Sequence, residues 1–326
     1  MTEPNPMPES TPESMPRSAS TQAPATRPRP VPTRAAALMA ALVVALIALT
    51  GCGSDDAEPL RIRSDGSTPM RVAAAVYAGA LARTGVPVDV DDPAGGDRPG
   101  GDPARMRELV DATARGEVDL FPALSGTLLS TLVPRPTETA SADVEVAVNR
   151  ALPQDVTIGD PAAVSDRPRM IAAQSLLEAH DVSALADCGS LPAGLPVVTT
   201  GVLTPELRHA FGGCRFGAVV ERVAAAEVVR RAATGEALGV LTGFEAAADV
   251  SERSDVVVLR ADGDGPIAQD LVPVYRSARI GKSQTKALSR VAGELTTADL
   301  MELVARVDRG ADPRAVADEW RSTRGV

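Results

Sequence analysis

From residue 60 onward, short apolar segments alternate with stretches of helical period. Leu60-Arg61-Ile62-Arg63-Ser64 reads as a strand that ends in turn chemistry at Asp65-Gly66-Ser67. A helix over about 68–83 follows, with Val72, Val76, Tyr77, Ala80 and Leu81 on one face and Gly85 as its stop. Val86 to Val90 predicts the second strand, and the Gly-, Pro- and Asp-rich stretch 91–101 a loop. Asp102-Pro103 pairs an N-cap with proline at the first helical position, and Met106, Leu109 and Val110 carry that helix towards Gly116. Val118 to Phe121 predicts a third strand, and Ser125-Gly126-Thr127 opens a helix through Val133.

The alternation restarts between 152 and 248. Strands are expected near 156–158, 170–172, 195–198 and 238–241, with a long helix over 219–233 before the last of these. The chain returns through strands at 256–259 and 271–275. It ends in helices over 282–292, 296–309 and 312–323. Thr296-Thr297-Ala298-Asp299 opens the second of these like a capping box, and Leu300, Leu303, Val304 and Val307 form its apolar stripe. Such alternation predicts an α/β fold with largely parallel sheets. No internal repeat of about 20–50 residues is visible.

One apolar run stands outside this pattern. Ala35 to Ala48 follows Arg27, Arg29 and Arg34 and leads into Leu49-Thr50-Gly51-Cys52. The order of charged, apolar and small-residue regions is that of a secretory signal, and the run is shorter than the roughly 20 residues a membrane span needs. Small residues followed at once by cysteine resemble a bacterial lipobox. That resemblance implies cleavage before Cys52 and lipidation of its thiol and new amine, with diacylglyceryl and fatty-acyl chains such as palmitate. Residues 1–51 are then signal peptide, 52–58 a tether, and the protein a lipoprotein on the extracytoplasmic face of the cell membrane. A signal anchor with an incidental cysteine is the alternative.

Charge and cysteine usage narrow the classes further. The chain has 33 basic and 43 acidic residues; Arg17, Arg27, Arg29 and Arg34 and Glu3, Glu9 and Glu13 precede Cys52, so the remainder carries 29 against 40, or −11. So acidic a surface argues against nucleic-acid partners and against a basic membrane patch. Cys188 and Cys214, the remaining cysteines, read in an exported domain as one disulfide, with two free buried thiols as the alternative. His180 and His209 are the only histidines and neighbour no metal-like cluster, so no metal or cofactor is expected. No nucleophile elbow, zinc-protease pair or phosphate loop occurs, and the chain reads as a non-enzyme.

Three blocks carry a family resemblance: Ile62 to Thr68 with Tyr77 in the helix behind it, Gly116 to Thr127, and Leu295 to Met301 continuing through Ala311 to Ala317. They resemble the type II periplasmic solute-binding proteins for glycine betaine, choline and related osmoprotectants. The second block is the most specific. The resemblance implies two α/β lobes that close on a solute and present it to ABC permease subunits. Lobe one is expected at 59–152 and 253–326, lobe two at 153–252, with hinge crossings near 152–156 and 250–256, and the protein as a monomer.

By this resemblance, Asp65, Ser67, Thr68, Leu124, Ser125, Thr127 and Asp166 are the ligand-binding candidates. Most also have a purely structural reading. Asp65, Ser67 and Thr68 suit a capping turn; Ser125 suits an N-cap; Leu124 suits core; Asp160 and Asp166 suit a solvated loop; and Asp119 suits structural hydrogen bonding. The family holds its quaternary ammonium in a tyrosine cage, but Leu124 stands where the second block has tyrosine, and the chain has only seven aromatic residues. Glycine betaine and choline are therefore expected to bind weakly, and another small polar or zwitterionic solute better. A lipoprotein that kept the fold but lost transport, acting as an envelope sensor or interaction partner, is the alternative function.

Overall fold

The computed structural model describes residues 58–91, 101–251, 253–261 and 265–326. The signal segment, Cys52 and most of the loop expected at 91–101 lie outside the described residues. Residues from Ala57 to Val326 belong to one compact unit. Two five-stranded sheets organise it. The first contains β1 (Leu60–Arg63), β2 (Val88–Asp91), β3 (Leu120–Leu124), β4 (Val156–Ile158) and β10 (Leu271–Arg276), in the order β2-β1-β3-β10-β4. The second contains β5 (Arg169–Ala173), β6 (Leu195–Thr199), β7 (Phe216–Val220), β8 (Leu238–Leu241) and β9 (Val256–Val258), in the order β7-β6-β8-β5-β9. The two orders are topologically alike, although the sequence shows no repeat.

Helices cover both faces of each sheet. On the first sheet, α1 (Thr68–Ala82) shares a core with α9 (Lys282–Glu294), α10 (Thr297–Asp308) and α11 (Pro313–Arg324). The opposite face packs against α2 (Pro103–Ala114), α3 (Ser125–Leu132) and α4 (Ser141–Ala151). Because both faces are covered, β3 alternates between two interiors: Leu120 joins the first core, Phe121 and Ala123 the second. The second sheet has α5 (Gln174–Ala179) and α6 (Pro205–Ala210) towards one core and α7 (Ala225–Ala233) and α8 (Gly243–Asp249) towards the other. Cys188 and Cys214 form a disulfide in the former, their sulfurs beside that of Met170.

Sequence periodicity placed most elements to within a few residues, with several differences. The sheets are mixed rather than largely parallel: β10 runs antiparallel to β3 and β4, and β5 antiparallel to β8 and β9. Both strands enter their sheets from the other one, so they arrive in the opposite sense. The helix expected over 219–233 begins only at Ala225; Val219 and Val220 instead pair in β7 with Val197 and Val198 of β6, where their branched side chains fit a pleated surface. Four helices have no counterpart in the sequence reading: α4, with Val144, Ala147 and Val148 buried, and the short α5, α6 and α8. Finally, β4 pairs with β10 in the first sheet and β9 with β5 in the second, so the chain crosses between sheets over 159–168 and again over 259–270. These crossings are later than the boundaries read from the sequence.

Asp119 anchors the first sheet. Fully buried, it accepts the Arg61 N–H at 2.9 Å and lies within 3.2 Å of Arg279 Nε and 3.8 Å of Arg276 Nη1, a structural role for its carboxylate. All seven aromatic residues are spent in cores: Tyr77, Phe244, Tyr275 and Trp320 in the first, Phe121 in the second, and Phe211 with the half-buried Phe216 beside the disulfide.

Candidate functional site

The two crossings run antiparallel and side by side. Leu271 N–H donates to the Val164 carbonyl at 3.0 Å, Ala162 N–H to Leu271 at 2.9 Å and Asp166 N–H to Gln269 at 2.9 Å, with Ser165 paired opposite Asp270. One helix from each sheet starts against this ribbon. Both starts use a glycine because the backbones are too close for a side chain. A Cβ on Gly126 in α3 would come within 2.3 Å of the Ala268 carbonyl oxygen, and one on Gly243 in α8 within 2.3 Å of that of Ser165.

At the α3 start, Ser125 N–H donates to the Asp270 carbonyl at 2.9 Å; its hydroxyl accepts the Asp270 N–H at 3.0 Å and donates to Ala268 at 3.3 Å. Ser125 is fully buried and ties α3 to the second crossing. The backbone N–H and hydroxyl of Thr127 both donate to the Gln269 side-chain oxygen, at 2.9 and 3.1 Å. A neutral carboxamide oxygen thus sits where the free N–H groups and dipole of a helix start favour an anion. Leu124 pairs with Leu271 and packs half-buried against the first core.

The α8 start is held by Asp166. Its carboxylate accepts the Phe244 N–H at 2.8 Å and further hydrogen bonds from Gly243 and Thr242. Burial outweighs these bonds and pushes the carboxyl up to about 6, with Glu245 adding in the same direction. Asp166 is therefore a cap rather than a solvated loop residue. Thr242 and Glu245 complete a reciprocal capping box. Immediately inside the helix, Phe244 leaves its own sheet and joins the core of the first, while α8 packs on α10.

Asp65 and Ser67 close on each other. The Asp65 carboxylate accepts the Ser67 N–H at 2.8 Å and its hydroxyl at 2.7 Å, and both residues are buried. These bonds close a turn ahead of α1, whose N-cap Ser67 makes no side-chain bond to the helix and whose first residue, Thr68, is half-buried. The turn lies at the C-terminal end of β1, and the Leu124–Thr127 turn at the same end of its parallel neighbour β3. Seven candidates thus fall into three groups: the Asp65 turn, the α3 start and the α8 cap, the last two joined through residue 269. A cleft of about 480 Å³ beside the ribbon is lined by Ser165, Arg169, Gly243, Ala246, Val257 and Thr297 among others, and by none of the seven.

Three residues of the crossings escaped the sequence reading: Gln269, Arg167 and Asp270. Arg167 Nε and Nη2 and Asp270 Oδ2 are shielded from solvent and have no hydrogen-bond partner among the described residues. Nothing local in the sequence marks them, because their meaning comes from which segment lies opposite. The Thr-x-x-Glu signature at 242–245 was the one visible signal for the α8 start.

Comparisons agree with this architecture. Two solved structures cover 82% of the chain: one of a glycine betaine/carnitine/choline ABC transporter, with TM-score 0.63, 13% identity and 98% of its own chain covered, and apo YehZ from Escherichia coli, with TM-score 0.59, 17% identity and 99% covered. At such identities they show the fold, a two-lobe periplasmic-binding-protein architecture. A comparison with curated proteins finds no match. Residues 58–323 match the substrate-binding domain of the ABC-type glycine betaine transport system, and the chain belongs to that family of solute-binding domains.

Proposed function

We propose that this protein is a lipid-anchored, extracytoplasmic solute receptor of an ABC importer, capturing a small polar or zwitterionic solute between its lobes. The family match over 58–323 carries this reading. The crossings support a division into two lobes, lobe two built on the second sheet at about 169–258, later than the 153–252 expected from the sequence, and lobe one on the rest. Thr68, Leu124 and Thr127 line the first-lobe side of the site; Asp65, Ser67 and Ser125 shape its turns, and Asp166 couples it to α8. Cys52 supplies the membrane contact through its lipid, and the protein works as a monomer beside its permease. Among the described residues no helix is long and apolar enough to cross a membrane. With every aromatic residue in a core, a quaternary ammonium finds no cage and binds weakly.

The other reading, a sensor or interaction lipoprotein on the same fold, draws on Gln269, which already satisfies the α3 start. Thermal-shift screening of the full chain against betaines, choline, amino acids and polyamines separates the two. A solute at 100 times its dissociation constant adds about 2.7 kcal/mol of stability. No shift with any solute would remove the transport reading.

A further inference from the structure

We infer that Arg167 and Asp270 are the recognition pair of this site, and that the solute they select carries a carboxylate and an ammonium with N–H donors, not a quaternary one. The inference rests on the solute-binding reading above and specifies its ligand. Arg167 lies on the first crossing and Asp270 on the second. Ser165 is paired antiparallel with Asp270, and Arg167 is two residues beyond Ser165. That pairing and the Asp166 N–H bond to Gln269 bring Arg167 alongside the second crossing, where its guanidinium lies beside Gly265. The charges of Arg167 and Asp270 interact, yet no ion pair joins them.

What each group lacks defines what it can take. The Nε–H and Nη2–H of an arginine lie on one edge of the guanidinium and form the fork that grips a carboxylate with two parallel bonds. Those are the two nitrogens that are buried without acceptors in Arg167. Asp270 Oδ2 is a buried acceptor without a donor. A trimethylammonium group offers it charge but no N–H, leaving the oxygen unsatisfied, whereas a primary ammonium offers three donors. Leaving such atoms unpaired disfavours the unliganded fold, and a bound zwitterion removes that penalty at both ends.

The surroundings are polarised in the same sense. Arg169 lies close enough to act on Arg167, making that end positive. Glu145 is held above the usual carboxylate range first by burial and then by the charges of Asp270 and Asp160, so the Asp270 end is negative. An extended zwitterion aligned along the ribbon, with carboxylate to Arg167 and ammonium to Asp270, matches this field.

Titration calorimetry on the full chain tests the assignment with glycine, β-alanine, 4-aminobutyrate and 5-aminovalerate, each against its N,N,N-trimethyl counterpart. The length series also reports the spacing of the pair. The best free amine is expected to bind roughly thirtyfold tighter than its trimethyl form, about 2 kcal/mol. Asp270→Asn should erase most of that preference, and Arg167→Lys should weaken both members equally. Arg167→Met, which removes a buried unpaired charge, should melt no lower than wild type without solute, so that its lost binding is not lost folding. Trimethyl compounds binding as tightly as free amines, or binding untouched by these substitutions, would overturn the pair while leaving solute capture standing. No binding by any member would overturn the pair and count against solute capture itself.

Discussion

Asp166 makes the stability of this protein depend on pH in a direction opposite to that of an ordinary paired carboxylate. Its ordinary value is 3.8, and in the fold burial raises it to about 6. The folded state therefore binds the proton more tightly than the unfolded chain. The resulting stabilisation is fully present below pH 3.8 and is lost as pH rises through about 6. At about 1.4 kcal/mol per unit, a rise of roughly two units corresponds to about 3 kcal/mol in all. Between pH 4.5 and 7.5 the accessible part is about 2 kcal/mol. Asp166→Asn keeps a side-chain oxygen for the Phe244 N–H but cannot ionise. Whatever constant offset the amide introduces, the variant should gain about 2 kcal/mol on wild type across that window. Urea unfolding of both proteins at the two pH values measures the change, and the common contributions of Glu145, Asp249 and every other titrating group cancel in the difference. A stability difference independent of pH would refute the account of Asp166 as a carboxylate whose burial outweighs its three hydrogen bonds.

Gly126→Ala and Gly243→Ala should each cost about 1–3 kcal/mol, because the new Cβ meets a backbone carbonyl that cannot swing away; an unchanged urea midpoint for either would show that the helix starts do not abut the ribbon so closely. Phe244→Ala should cost about 3–5 kcal/mol, as expected for truncating a buried aromatic, and differential scanning calorimetry would reveal a smaller loss if the ring were not part of the first core. Reducing Cys188–Cys214, which closes a 26-residue separation, should cost about 3 kcal/mol in the chain-entropy picture; non-reducing peptide mapping that recovers two free thiols would end that expectation. Radiolabelled fatty acid should label wild type and not Cys52→Ala, and equal labelling of the two would exclude lipidation at Cys52.

Periodicity and punctuation by themselves determined most of the elements. Asp102-Pro103 announced α2, Thr296 to Asp299 announced α10, and the apolar runs became strands, because caps and amphipathic faces are local chemistry that a reader of the chain can see. The block from Gly116 to Thr127 likewise carried the family resemblance, although Leu124 departs from it. The scarcity of aromatic residues argued against a full cage before any fold was known; that all seven pack in or against cores only packing could show. Tertiary structure decided the rest. Val219 and Val220 became strand rather than helix because β6 lay beside them, and β10 and β5 reversed their sheets because each arrives from the opposite lobe. The site itself belongs to that second category. Asp65 spends its carboxylate on Ser67 next door, a local matter, but Asp166 is drawn to α8 across 78 residues of sequence and Thr127 to Gln269 across 142. Arg167 and Asp270 acquire their meaning only where two crossings 103 residues apart lie antiparallel, because a buried donor or acceptor is unsatisfied only with respect to the neighbours that the fold assembles around it.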